Sequence, residues 1–418
     1  MSPKLARTLA GLALIALPAT GCGGVDTSRV TPDAVVPLAQ ATLSDAAGRR
    51  VVGIGEATHG NKEFVQTRAL IIRKLVTDHG FRTVALEADF GGTAVADDYV
   101  MKGEGSAEAA AAALGFDIYR TREMADLIEW IHDHNAAVPD ADKVRLYGFD
   151  MQRYDRNKDR LLRYLATADP ARVGPVKESL AGLTDATRSD QDKAEVTAAA
   201  TAAERLVAHM KDNRETYVSR SSEGSFVLAV HHAETILRGA RLQVSGADYA
   251  AKRDAWMAGN VGWIADLEGS QGRKKIMVCG HNGHIDKSGA AFPFASMGRR
   301  LAQTYGEDYF TIGTEFGTST FVSKDEDSGR RKQFTVSHDS PLAALFGDEP
   351  LGYVNVARAS SRPGNRELLA SEIPMGSVGD GFRSIYSHLS SAYTVTMTPA
   401  QAYDALVYVP KAGPVTPL

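Results

Sequence analysis

Five short segments of the 418-residue chain bring imidazole and carboxylate groups together at spacings suited to acid–base chemistry. They are Glu56-Ala57-Thr58-His59, Glu87-Ala88-Asp89, Asp150-Met151-Gln152, Gly280-His281-Asn282-Gly283-His284 and Glu315. An imidazole titrates near neutral pH and can take and return a proton, while a neighbouring carboxylate fixes its tautomer and stabilises the imidazolium. The paired histidines His281 and His284, beside a glycine, can present both rings to one side. Arg68 joins the set on a different argument. It shares a helical stripe with Phe64, Ile71 and Leu75, so its guanidinium is expected to be partly desolvated and to need an anion: Glu56, Glu87 or a substrate oxygen.

Each segment closes a run rich in Val, Ile, Leu and Phe: 51–55, 83–86, 144–149, 275–279 and 309–314. Most runs are followed by helical periodicity, as at Val65, Ala69, Ile72 and Val76 before Gly80. This alternation predicts an α/β fold, a mainly parallel open sheet flanked by helices. Ligands of such sheets bind beyond the carboxyl ends of the strands, so all five segments are expected at one rim. From about 156 to 246 the strand signal gives way to Ala-rich helical periodicity (Val196, Ala199, Ala203, Leu206, Met210), which predicts a helical insertion. Gly317 to Val322 and Phe334 to Val336 flank Asp327-Ser328-Gly329 and predict a late antiparallel hairpin, with the charges from Lys324 to Lys332 on a solvated turn. Residues 46–410 read as one catalytic domain, and the proline-containing end, 410–418, as a frayed tail.

Apolar residues make up 44% and charged residues 23%, which excludes disorder and coiled coil for the chain as a whole. With 47 Lys and Arg against 51 acids, the net charge of −4 offers no broad basic face for nucleic acid. Two cysteines cannot make a disulfide framework, and Cys279 ends the apolar run Ile276-Met277-Val278, where a buried thiol is expected. No GxSxG, HExxH, Walker loop or post-strand GxGxxG occurs. His231 and His232, in an apolar helical stretch, and His132 and His134, on a polar helix end, are expected to be structural or solvated.

Lys4 and Arg7, the apolar run from Leu9 to Leu17, and small residues before Cys22 follow the order of a secretory signal over 1–21, too short for a membrane span of about 20 apolar residues. Ala19-Thr20-Gly21-Cys22 resembles a lipobox, so Cys22 is expected to be lipidated and 22–45 to serve as a tether. Loss of Lys4 and Arg7 takes the charge from −4 to −6. The expected location is extracytoplasmic, lipid-anchored or secreted.

These pieces, with Glu123 to Trp130 and Asn135, Gly148-Phe149, Arg253-Asp254 with Met257 and Asn260, Met297 to Gly313 and Tyr403 to Val409, resemble the erythromycin esterase family from about Leu38 to Val409. The resemblance implies hydrolysis of an ester or macrolactone, as in the family's macrolide-inactivating members. It implies His59 as general base, Glu56, Arg68 and Glu87 as charged cleft residues, and His281 and His284 as the later histidine pair. On that reading neutral His59 deprotonates a water attacking the carbonyl, and Arg68 or a later histidine stabilises the oxyanion, with no Ser or Cys intermediate. No cofactor is expected. A divalent metal held by His59, Glu87, His281 and His284 is the first alternative. The second is a haem- or metal-binding surface lipoprotein without hydrolase activity, against which the charged edge argues.

Overall fold

The structure, a computed structural model, describes residues 26–418, so the expected secretory signal and the expected lipidation site Cys22 lie outside the described residues. The strands in chain order are β1 (Val36–Pro37), β2 (Val51–Glu56), β3 (Thr83–Asp89), β4 (Arg145–Asp150), β5 (Ile276–His281), β6 (Tyr309–Asp325), β7 (Arg331–Ser337), β8 (Gly352–Asn355), β9 (Ile373–Gly376), β10 (Gly381–Phe382), β11 (Thr394–Met397) and β12 (Ala405–Ala412). The main sheet runs β1-β8-β12-β6-β2-β5-β3-β4. From β12 to β4 every neighbour is parallel. β8 and β1 add an antiparallel edge, and β9 with β11 forms a small separate sheet.

The central strands are buried on both faces, which is why they read as continuous apolar runs. One face packs Val52, Ile54, Val84, Leu86, Met277 and Cys279 against helix α1 (Lys62–His79). Strand alternation sends Val51, Ala85, Phe149, Ile276 and Val278 to the other face. There they meet Met257, Val261 and Ile264 of α6 (Tyr249–Ser270), the last of the long helices that follow α2 (Phe90–Lys102), α3 (Asp155–Ala168), α4 (Lys193–Asp212) and α5 (Glu223–Gln243). Helices α3 to α5 form the predicted insertion between β4 and β5 and bury a core of their own around Leu161, Leu206, Met210 and Ile236.

Three expectations need correction. The fifth strand does not end at Thr314: β6 is 17 residues long in all and reaches Asp325, and its outer half is one arm of the predicted hairpin with β7. The chain end is docked, not frayed. β12 reaches Ala412, Val415 is buried, the Val415 amide donates to the Gly60 carbonyl (3.1 Å), and the Thr416 amide donates to Glu123. Proline limits that segment's own secondary structure, but backbone amides paired with other elements hold it. The segment read as a tether is also partly packed, with β1 on β8 and Leu38 fully buried.

Candidate active site

Four of the five segments meet where the two sheet faces share a carboxyl rim. Glu56 and His281 are direct cross-strand partners at the ends of β2 and β5. Both follow the alternation of the α1 face, which lets Arg68 of that helix reach Glu56 with an N–O separation of 2.5 Å. Glu87 belongs to the other face and meets Arg253 of α6 at 2.7 Å. Close approach is built in: a Cβ on Gly55 would lie 2.2 Å from Asn282 Oδ1, the side chain that ties the β5 turn to Thr314 of β6. Thr314 Oγ1 in turn accepts from the Ala57 amide, holding the loop that carries His59.

His59 Nδ1 lies 2.7 Å from Glu56 Oε1, and its ring is 5.1 Å from that of His281, centroid to centroid. Burial disfavours the charged form of His59, but the hydrogen bond and charge of Glu56, with Glu87 and Asp380 beyond, outweigh it and raise its pKa above the ordinary value. His281 goes the other way: burial, then the neighbouring His59 and His284, push it down to about 3. The Gly283 amide donates to His281 Nδ1 (3.2 Å), so the neutral ring carries its proton on Nε2. That Nε2 is buried with no protein partner among the described residues.

Arg253 donates to Glu87 Oε1 at 2.7 Å and to Asp150 Oδ2 at 2.6 and 2.8 Å. Glu87 Oε2 accepts from the His281 amide at 2.8 Å, and Oε1 lies 3.3 Å from His284 Nε2. Burial alone would raise the Glu87 pKa, but His284, Arg253 and His59 hold it well below the usual carboxylate range. His284 Nδ1 pairs with Asp254 at 3.0 Å. His59, Glu87, Arg253, His281 and His284 line one cavity of about 470 Å³, walled also by Phe292, Phe294 and Ile118. A larger cavity of about 720 Å³ between α2, α3 and α5 holds none of these groups.

Arg68 finds Glu56, one of its expected anionic partners, but not the cleft wall that the resemblance implied, and Glu315 does not stand at the rim. Arg68, 1% exposed, sits behind Glu56 and does not line the cavity, so it cannot meet a substrate oxyanion there. Glu315 falls within the long β6, where it accepts from the Phe316 and Gly376 amides; burial pushes its pKa up to about 8. Cys279 is buried and its thiol is pushed up to about 12, which fits the structural role expected of it. His231 and His232 are buried, His231 stacked on Trp263. Arg253 and Asp254 were missed as site residues. The signal was present: they open a stripe of Met257, Val261 and Ile264, the argument already used for Arg68. The four groups considered as metal ligands are engaged with protein partners, His59 with Glu56, Glu87 with Arg253 and the His281 amide, and His284 with Asp254, while His281 Nε2 has no protein partner among the described residues. Among the described residues, only Glu129, His132 and Asp133, partly exposed on the outer surface, gather three ligand atoms within 4.8 Å.

The erythromycin esterase family model matches residues 76–412. Erythromycin esterase type II of Escherichia coli is 25% identical over 295 residues, which is 63% of this chain and 68% of that protein. A crystal structure of a Bacillus cereus protein superposes with a TM-score of 0.78 at 24% identity, covering 93% of this chain and 97% of the other. A mutant erythromycin esterase in its open conformation gives 0.66 at 20% identity, covering 93% and 98%. These two structures share the fold. With a match over most of its length and a cluster of histidines and carboxylates at the sheet rim, this chain belongs to the erythromycin esterase family.

Proposed function

We propose that the protein hydrolyses a carboxylic ester or lactone through water activated by His59. The observation that carries this reading is the pairing of unlike imidazoles, 5.1 Å apart. His59 leans on Glu56 through Nδ1, which leaves Nε2 as the basic atom; His281, held neutral, offers Nε2–H to the same cavity. His59 takes the proton of a water as it attacks the ester carbonyl, and Glu56 with Arg68 behind it stabilises the imidazolium. His281 Nε2–H donates to the developing oxyanion in a site largely shielded from solvent. The imidazolium then returns its proton to the leaving alkoxide. Arg253, Glu87, Asp254 and His284 act as positioning residues: Glu87 grips the His281 backbone, and Arg253 grips Glu87.

Replacing His59 by Ala should lower turnover by at least about 10²-fold while the chain stays folded. Incubation with macrolides and simpler esters, read as a mass gain of one water, identifies the substrate. A fully active His59→Ala protein would end this mechanism. The leader supports export, with Cys22 as lipid anchor, so that the substrate is met outside the cytoplasm; labelling of a Cys22-dependent lipid tests it.

A further inference from the structure

A second cavity of about 650 Å³ adjoins the catalytic one, and its lining is unlike the rest of this mildly acidic protein. Gln152 and Tyr249 line both spaces, and the Tyr249 hydroxyl donates to Gln152 Oε1 (2.6 Å), so this one hydrogen bond is a partition between them. Beyond it stand Arg153, Arg188, Lys193 and Lys324. None of these four cations has a carboxylate oxygen within 4.0 Å among the described residues, although most other cations lining the cavities do. Arg153 donates to the Gly115 carbonyl and lies over Phe116; Arg188 lies over Tyr154, 4.7 Å from its centroid, with a buried, unpartnered Nη1. The single acid, Asp185, is occupied by the backbone amides of Tyr154 and Asp155.

Four like charges around one hollow repel one another, and Asp185, the one carboxylate in the lining, offsets only part of that repulsion. A bound anion would. We infer that this cavity receives an anionic group of the substrate, a carboxylate or a phosphate at the far end of a chain whose ester lies between His59 and His281. The inference rests on the hydrolytic reading and narrows it to esters with a distal negative charge. Arg188 and Arg153 would supply planar donors to the anion, and the exposed Lys193 and Lys324 would draw it in.

The test compares 4-nitrophenyl hydrogen suberate and its phosphonate analogue with uncharged 4-nitrophenyl octanoate on the full mature chain. The expected ratio of kcat/KM, charged over neutral, is about tenfold or more, carried by KM and shrinking as salt rises. A larger ratio for one head group assigns carboxylate or phosphate. Arg188→Gln should bring the ratio towards one. Because Arg188 is half-buried, the double variant of exposed sites, Lys193→Gln with Lys324→Gln, gives the same readout without risk to the core. A wild-type ratio near one that does not respond to salt overturns the inference even if both esters are cleaved. If neither ester is cleaved, calorimetric titration of the His59→Ala protein with suberamic acid, which carries one terminal carboxylate, and with neutral octanamide decides. Preferential binding of the acid supports the anion cavity and counts against the hydrolytic reading alone; equal binding overturns the inference.

Discussion

The rings of His59 and His281 lie 5.1 Å apart at an interplanar angle of 47°, yet their surroundings drive their proton affinities in opposite directions. Glu56 is the cause on one side; burial, reinforced by the neighbouring His59 and His284, is the cause on the other. Two imidazoles with separated affinities can serve as base and hydrogen-bond donor in one site.

The pH profile follows from that separation. In the proposed mechanism His59 must be neutral to act as base, so kcat/KM should fall as pH drops through a midpoint above the ordinary 6.5. Glu56→Gln removes the charge that raises it, burial then dominates, and the midpoint should move below 6.5. An acid limb unchanged by Glu56→Gln would take His59 out of the base role.

The same substitution strands a buried charge. Arg68 is 1% exposed and faces Glu56 at 2.5 Å, so Glu56→Gln should cost about 3–5 kcal/mol in urea unfolding. Glu56 has its pKa lowered by Arg68 and His59 despite burial. Its stabilisation is therefore present above its ordinary 4.5 and lost as pH falls through the folded value, and this acid-side loss should disappear in the variant.

Arg253 bridges Glu87 and Asp150, and Glu87 holds the His281 backbone. Arg253→Gln should lower kcat about a hundredfold with a smaller change in KM, because misplacing His281 harms the transition state more than binding. Arg253→Lys should rescue only part of the loss, since a lysine cannot bridge two carboxylates in the same plane. An equal loss in KM and none in kcat would mark Arg253 as a substrate contact instead.

Glu87 Oε1 is shared by Arg253 and His284, and Oε2 by the His281 amide. Turnover by His59 and His281 should accordingly survive exhaustive chelation. Activity lost to a chelator and restored by one divalent ion would replace this mechanism with a metal-centred one.

Removing residues 414–418 takes away the buried Val415 and its bond to the carbonyl of Gly60, the residue after His59. The truncated chain should lose about 2–3 kcal/mol and show a reduced kcat. Unchanged melting would mean that the tail's docking contributes nothing.

Much of the site was legible because strand-end chemistry is local: an apolar run followed by Glu56 to His59, or by His281 to His284, announces itself in one dimension. Alternation also placed the helices and the insertion. Arg68 showed its need for an anion through the apolar stripe it interrupts, but its choice of Glu56 over the cavity depended on which sheet face α1 covers. Glu315 was misread because a strand's length is set by its partners: pairing with β7 and β12 carries β6 past the rim. The Arg253 bridge joins groups 166 and 103 positions apart, and the tautomer of His281 depends on the backbone turn that aims the Gly283 amide at its Nδ1. Sequence determined which groups stand at the strand ends and the kind of chemistry they can do. Only packing decided which carboxylate faces which ring, because proton affinity depends on burial and on charges brought close by the fold, which sequence separation does not report.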